Sequence, residues 1–137
     1  MAYLKSELSE KNKYWISRHR YYELKHFCLQ YPEWRRAYAN LEFKMKGKIG
    51  DRIQQSEVPD PTGKLGQMRA DLKRAMELVE QCARDTDPIL GSYVFQGVTE
   101  GITFVQMQTL KEIPCGKDMY YECYRRFFWL LSQRKGI

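Results

Sequence analysis

Apolar residues recur at every third or fourth position along most of this chain, and no other feature of the sequence constrains its fold as strongly. A repeat of about 3.6 residues is that of an amphipathic α-helix, whereas a half-buried strand alternates in polarity. No convincing alternation of that kind occurs. The sequence therefore predicts an all-α protein, and its clearest helix carries the apolar stripe Leu65, Met68, Leu72, Ala75, Met76, Val79 and Cys82.

The N-terminal third is predicted to form a helical hairpin over residues 1–46. Nothing breaks a helix between residues 6 and 30, so one long first helix is expected there. Pro32 suits the first turn of a second helix, because its missing N–H would have no partner at that position. Gly47 is expected to end the second helix. Residues 47–60 contain glycine and proline and have no clear period, which predicts a hinge.

A second helical domain is predicted over residues 61–137. Asp60 followed by Pro61 combines an N-cap with a first-turn proline, so a helix is expected from there to about residue 84. Asp87 followed by Pro88 repeats this signal for a shorter helix that ends near residue 97.

The end of the chain has the spacing of a helix-turn-helix, over about residues 103–134. Thr103 is placed to cap a short helix, residues 113–116 form a tight turn, and a final helix is predicted from Lys117 to about Arg134. The preceding helix can pack across this pair. Apolar residues are expected to face inward and hold the pair together, namely Phe104, Met107, Leu110, Ile113, Met119, Cys123, Phe127 and Leu130.

The outward face of the final helix would then carry charged and polar side chains suited to DNA. Arg and Lys can contact guanine edges or phosphate, and Glu can accept a hydrogen bond from cytosine. Residues 1–56 hold 12 Lys+Arg against 6 Asp+Glu, and residues 103–137 hold 6 against 3, so both ends are basic and could face phosphate. The predicted DNA-binding residues are Lys111, Lys117, Asp118, Tyr121, Glu122, Arg125 and Arg126.

The final helix is also rich in aromatic residues. Two interpretations stay open at this point, of which burial against the first helix is favoured. The other is an exposed patch that meets a partner protein or a second copy of the chain. The aromatic residues concerned are Tyr120, Tyr121, Tyr124, Phe127, Phe128 and Trp129.

Catalytic and metal chemistry are not expected. His19 and His26 stand about 10 Å apart along a helix, too far to chelate one ion. The 4 cysteines include no CxxC pair and are expected to be buried and reduced. No phosphate-binding glycine motif follows a strand. We therefore predict no enzymatic activity, no metal site and no cofactor.

The sequence also predicts a cytoplasmic protein that does not enter a membrane. Its longest uncharged stretch has 12 residues, against the roughly 20 apolar residues that span a bilayer. The first residues include acids and lack the apolar core of a signal peptide.

Several stretches resemble a known family. SEVPDPTG, LKRAMELVEQCARDTDPIL and VTEGITFVQMQTLKEIPCGKDMYYECYRRFFWLLSQRK are similar to the RinA/ArpU-like phage transcriptional regulators of Gram-positive hosts. RYYELKHFCLQYPEWRRAY resembles the first helices of that family. The similarity covers most of the chain, and the family's C-terminal part is similar to the helix-turn-helix of sigma-factor region 4.

The resemblance implies a transcription regulator that acts on phage or prophage promoters in a bacterial host cell. By position, Thr103 matches the residue that opens the first helix of the pair, Met107 and Ile113 match its apolar sites, and the reading helix begins at residues 116–117. Glu112 departs from the pattern, because a sigma-like turn often has Gly there. The turn is also one residue longer than in the family.

Together, these features predict a sequence-specific regulator that binds double-stranded DNA as a homodimer, with RNA polymerase as a further partner. One alternative is a phage structural or packaging component, such as a small terminase-like DNA-recognition subunit. Another alternative is a protein-interaction module whose basic charge is incidental.

Overall fold

The structure is a computed structural model that describes residues 11–51 and 61–137, and the regular secondary structure of these residues is entirely helical. The prediction of an all-α protein is confirmed. The helices are α1 (Arg18–Leu29), α2 (Tyr31–Asp51), α3 (Pro61–Thr86), α4 (Gly91–Glu100), α5 (Phe104–Leu110) and α6 (Lys117–Lys135).

The chain divides into two compact units. The first unit comprises Met1–Gln30 and Leu78–Ile137, and the second comprises Tyr31–Glu77. Helix α3 therefore contributes its last turns to the first unit and its earlier turns to the second. The sequence placed all of residues 61–137 in one domain after a hinge at 47–60, and residues 52–60 of that hinge lie outside the described part of the chain.

Helix α1 is shorter than predicted. It begins at Arg18, after Ser17, whose hydroxyl accepts a hydrogen bond from the Arg20 amide at 3.3 Å. Upstream, the Asn12 side chain accepts from the Tyr14 amide at 2.8 Å and forms a turn. Short polar side chains of this kind compete with the helical backbone pattern, so the expected helix is wrong for residues 11–17. Residues 6–10 lie outside the described residues.

Helix α2 forms the N-terminal part of the second unit. Pro32 lies in its first turn, as predicted, but the helix continues through Gly47 to Asp51, so the predicted stop at Gly47 is wrong. A single glycine costs a helix only about 1 kcal/mol, which neighbouring turns offset. Across this unit, Arg69 of α3 forms an ion pair with Glu42 at 2.8 Å and lies 4.8 Å from the centre of the Tyr38 ring.

The connection between α3 and α4 contains the predicted Asp87 cap, but α4 starts later than predicted. Helix α3 begins at Pro61, as expected. The Asp87 carboxylate accepts hydrogen bonds from the amides of Ile89 and Leu90, at 2.8 and 2.7 Å, and these residues form a turn before α4 starts at Gly91. Helix α4 then runs to Glu100, in line with the predicted end near Gly97 or slightly later.

The core of the first unit lies where α1, α4 and α6 pack against one another. Gly91, at the start of α4, lies close to the backbone of α3, because a Cβ there would overlap the backbone oxygen of Ala83. Side chains spaced three or four residues apart on each helix fill the centre, as their apolar stripes predict. They include Tyr21, Leu24, Cys28, Val94, Val98, Phe127, Phe128 and Leu131.

Candidate nucleic-acid interface

Two helices joined by a turn, α5 and α6, lie where the helix-turn-helix was predicted. Thr103 begins it with a capping box, in which its hydroxyl accepts from the Gln106 amide and the Gln106 side chain accepts from the Thr103 amide at 2.9 Å. Phe104 and Met107 point into the core and are buried. Thr103, Phe104 and Met107 therefore have the positions that the sequence predicted for them.

The turn between the two helices is longer than four residues, because it extends from residue 111 to residue 116. Ile113 anchors it: this side chain is buried, and its amide donates to the carbonyl oxygen of Met107 at 3.4 Å. Glu112 has a positive φ of 51°. Glycine adopts that conformation without cost, so the position at which the resembling family often has Gly carries here a residue that is strained by about 1 kcal/mol or more.

Helix α6 buries Cys123 and Phe127 as predicted, but it differs from the prediction in its first turn. Tyr120 is 1% exposed and packs its ring 5.5 Å from that of Phe104, whereas Met119 is 56% exposed. Leu110, the last residue of α5, is 70% exposed. The predicted inward positions of Met119 and Leu110 are therefore wrong. Tyr120 takes the core position of this turn because its ring packs beside Phe104 and its hydroxyl group reaches the backbone of Gly97.

With α6 in this orientation, most of the predicted DNA-binding residues are exposed to solvent. Glu122 and Arg126 follow Asp118 at intervals of four residues and form one row along α6, while Tyr121 and Arg125 follow Lys117 in an adjoining row. Together the two rows cover roughly half of the helix circumference. Lys111, Lys117, Asp118, Glu122 and Arg126 are exposed, and Tyr121 and Arg125 are half-buried.

The aromatic residues of α6 pack against α1 and the segment before it. The ring of Phe128 lies 5.1 Å from that of Tyr21, edge to face, and the ring of Trp129 lies 5.7 Å from that of Tyr14. Tyr120, Phe127 and Phe128 are buried, and the favoured burial against α1 is confirmed for Phe128, whereas Tyr120 packs against Phe104 of α5. Their contacts fix the orientation of α6 within the first unit.

One cavity of the first unit adjoins the candidate interface. It has a volume of about 240 Å³ and is lined by residues of α1, of the α4–α5 connection and of α6. Lys25 and Tyr21 from α1 meet Lys117 and Tyr124 from α6 at this cavity. Lys25 was not among the residues predicted from the sequence, because no local pattern shows that Lys25 and the distant Lys117 line one cavity.

The titratable groups near the interface offer no activated nucleophile. Burial raises the pKa of the Cys123 thiol to about 11, and it also raises the pKa of Cys115. A thiol with a raised pKa is protonated at neutral pH and reacts poorly. Cys28, Cys82 and Cys123 are buried, as expected, whereas Cys115 is partly exposed.

Within residues 11–51 and 61–137, no group of three or more His, Cys, Asp or Glu side chains could hold a metal ion. Among these residues there is also no helix with both the length and the apolar character that crossing a membrane requires. Comparison of the sequence with protein-family models, with curated proteins and with solved structures gave no match. The relation to RinA/ArpU-like regulators therefore rests on the quoted stretches alone.

Proposed function

We propose that this protein binds duplex DNA through the outward face of α6 and acts as a transcription regulator. The observation that carries the proposal is the packed α5–turn–α6 pair. Phe104, Met107, Ile113 and Tyr120 are buried within it, and the N-terminal turns of α6 remain exposed beside the turn. A recognition helix needs these two properties, packing against its neighbouring helix and an uncovered N-terminal half.

Contacts with DNA divide into two kinds on this face. Lys111, at the start of the turn, and Arg126, on the third turn of α6, are exposed cations suited to backbone phosphate. Asp118 and Glu122 lie in the row that ends at Arg126, and each can accept a hydrogen bond from cytosine in the major groove. Because carboxylates repel phosphate, this row favours a site with correctly placed bases over random sequence.

The wider role follows the resemblance. A regulator of phage or prophage promoters would act in the cytoplasm of a bacterial host, bind its operator as a homodimer and contact RNA polymerase. Dimeric readers of this class place two recognition helices about one DNA turn apart, so the target would be a pseudo-palindrome.

The direct test is fluorescence anisotropy with labelled duplex DNA at low salt. Lys117→Ala combined with Arg126→Ala should lower the affinity roughly tenfold and leave helicity and melting temperature unchanged. Lys73→Ala combined with Arg74→Ala is the matched control, because both side chains are exposed in the second unit and the same charge is lost. Equal losses in both double variants would contradict the assignment to α6.

An interaction role is the second candidate, and the exposed apolar side chains of the helix pair favour it. Val105, Leu110 and Met119 are each more than half exposed. Light scattering separates the possibilities: a ring of many copies supports a packaging component, and a monomer or dimer supports regulation. If the wild-type protein fails to bind any duplex at low salt, the interaction module replaces DNA binding.

A further inference from the structure

The cavity beside α6 combines aromatic walls with two cations. Its lining includes Tyr21, Tyr121 and Tyr124, together with Lys25 and Lys117 from helices that are far apart in the sequence. Lys25 is half-buried, and its ammonium group lies 5.8 Å from the centre of the Tyr22 ring. The cavity is therefore lined by two positively charged side chains among aromatic and apolar ones.

The size of the cavity limits the ligand to a small molecule. A cavity of about 150 Å³ lined by apolar side chains holds one benzene molecule. The cavity here measures about 240 Å³ and opens to solvent on one side. It therefore has room for a single ring with one short substituent, and it is too small for a nucleotide or a peptide segment.

A buried hydroxyl group adds a polar contact without a protein partner. Tyr120 lines the cavity and is 1% exposed, and its hydroxyl oxygen makes no hydrogen bond with the protein. That oxygen lies against Gly97, which also lines the cavity. Leaving a buried hydroxyl without a partner costs about 1–3 kcal/mol, which a ligand oxygen within reach would recover.

We propose that this cavity is a binding site for a small aromatic carboxylate. The ring occupies the space between the tyrosine side chains, where aromatic contacts stabilise it. The carboxylate lies towards Lys25 and Lys117, which supply charge-assisted hydrogen bonds. The Tyr120 hydroxyl then donates to the ligand, with a small shift of the ring.

Calorimetric titration with benzoate tests the site, and benzamide is the matched neutral probe. The titration contains no DNA, so its result does not depend on the proposed DNA binding. We expect saturable binding of one benzoate per chain and at least about tenfold weaker binding of benzamide, because the amide lacks the charge that the two lysines recognise. Absence of saturable benzoate binding at millimolar concentration, or equal binding of both probes, would overturn the proposal.

Variants locate the site. Lys25→Gln combined with Lys117→Gln should weaken benzoate binding at least about tenfold, since both cations are lost. Lys11→Gln combined with Lys13→Gln removes the same charge from exposed positions of the same unit and should leave the affinity unchanged. Circular dichroism checks that each variant is folded. If the control variant loses as much affinity as the cavity variant, benzoate binding is non-specific and the proposal is wrong.

Discussion

The hydroxyl oxygen of Tyr120 on α6 occupies the space that a Cβ atom on Gly97 of α4 would need. A glycine near the end of α4 therefore lets the largest buried ring of α6 approach the backbone of another helix. This contact selects Tyr120, and not its neighbour Met119, as the core residue of the first turn of α6. The face of α6 that meets solvent follows from that choice.

Replacing Gly97 by alanine should lower the free energy of unfolding by about 1–3 kcal/mol, because the added methyl group overlaps the Tyr120 hydroxyl and forces a shift of the packed helices. Urea denaturation followed by circular dichroism measures the change. Gly66→Ala is the control: this glycine also lies inside a helix, but no atom lies within 4 Å of its added Cβ. That variant should gain up to about 1 kcal/mol from helix propensity. Similar effects of the two substitutions would contradict the close approach.

The orientation of the first turn of α6 is tested at the adjacent residues Met119 and Tyr120. Tyr120→Ala should destabilise the protein by about 3–5 kcal/mol, as truncation of a fully buried aromatic side chain does. Met119→Ala should change the stability by no more than about 0.5 kcal/mol, because that side chain is mostly exposed. Thermal melts measure the loss of stability in both variants. A larger loss for Met119→Ala would show that Met119 faces the core, as the sequence predicted.

The ion pair between Asp85 and Arg134 predicts a pH dependence of stability. The two groups lie 2.7 Å apart, and hydrogen bonding by Arg134 and Gln81 lowers the pKa of Asp85 in the folded state. The unfolded chain therefore binds more protons as the pH falls past the ordinary aspartate pKa, so the stabilisation is present above that pKa and is lost as the pH falls through the lower, folded value.

Asp85→Asn should accordingly lower stability slightly at neutral pH and be nearly neutral in strong acid, with a small amplitude because both partners are well exposed. Denaturant titrations across the acidic range measure the difference. In an Arg134→Gln background the same substitution should show a smaller pH dependence, because the Gln81 hydrogen bond to Asp85 remains. A difference that persists unchanged into strong acid would show that another group is responsible.

The salt dependence of DNA binding reports on individual phosphate contacts. Each neutralised phosphate contributes a slope of about −0.9 to the plot of log affinity against log salt concentration. Arg126→Gln should therefore reduce the steepness of that slope by about 0.9 if Arg126 contacts phosphate. Glu122→Gln should leave the slope nearly unchanged and alter the preference between duplex sequences, because Glu122 is assigned to a base. An unchanged slope for Arg126→Gln would show that Arg126 does not contact phosphate.

Local chemistry explains which parts of the fold were predictable. The start of α3 at Pro61 and the capping of α5 by Thr103 follow from side chains that act on their own neighbouring backbone. The long first helix was wrong for a similar local reason, because the capping groups of Asn12 and Ser17 outweigh an uninterrupted apolar pattern.

The sequence by itself determined the all-α fold class, the capped start of α5 and the positions of the cations that follow it, because periodicity, caps and charge are properties of neighbouring residues. The tertiary structure alone decided that Tyr120 turns inward and Met119 outward, and that Lys25 meets Lys117 at one cavity. These features depend on the shape of partners that lie far away in the chain, such as Gly97, and packing against distant residues leaves no periodic signal in the segment itself.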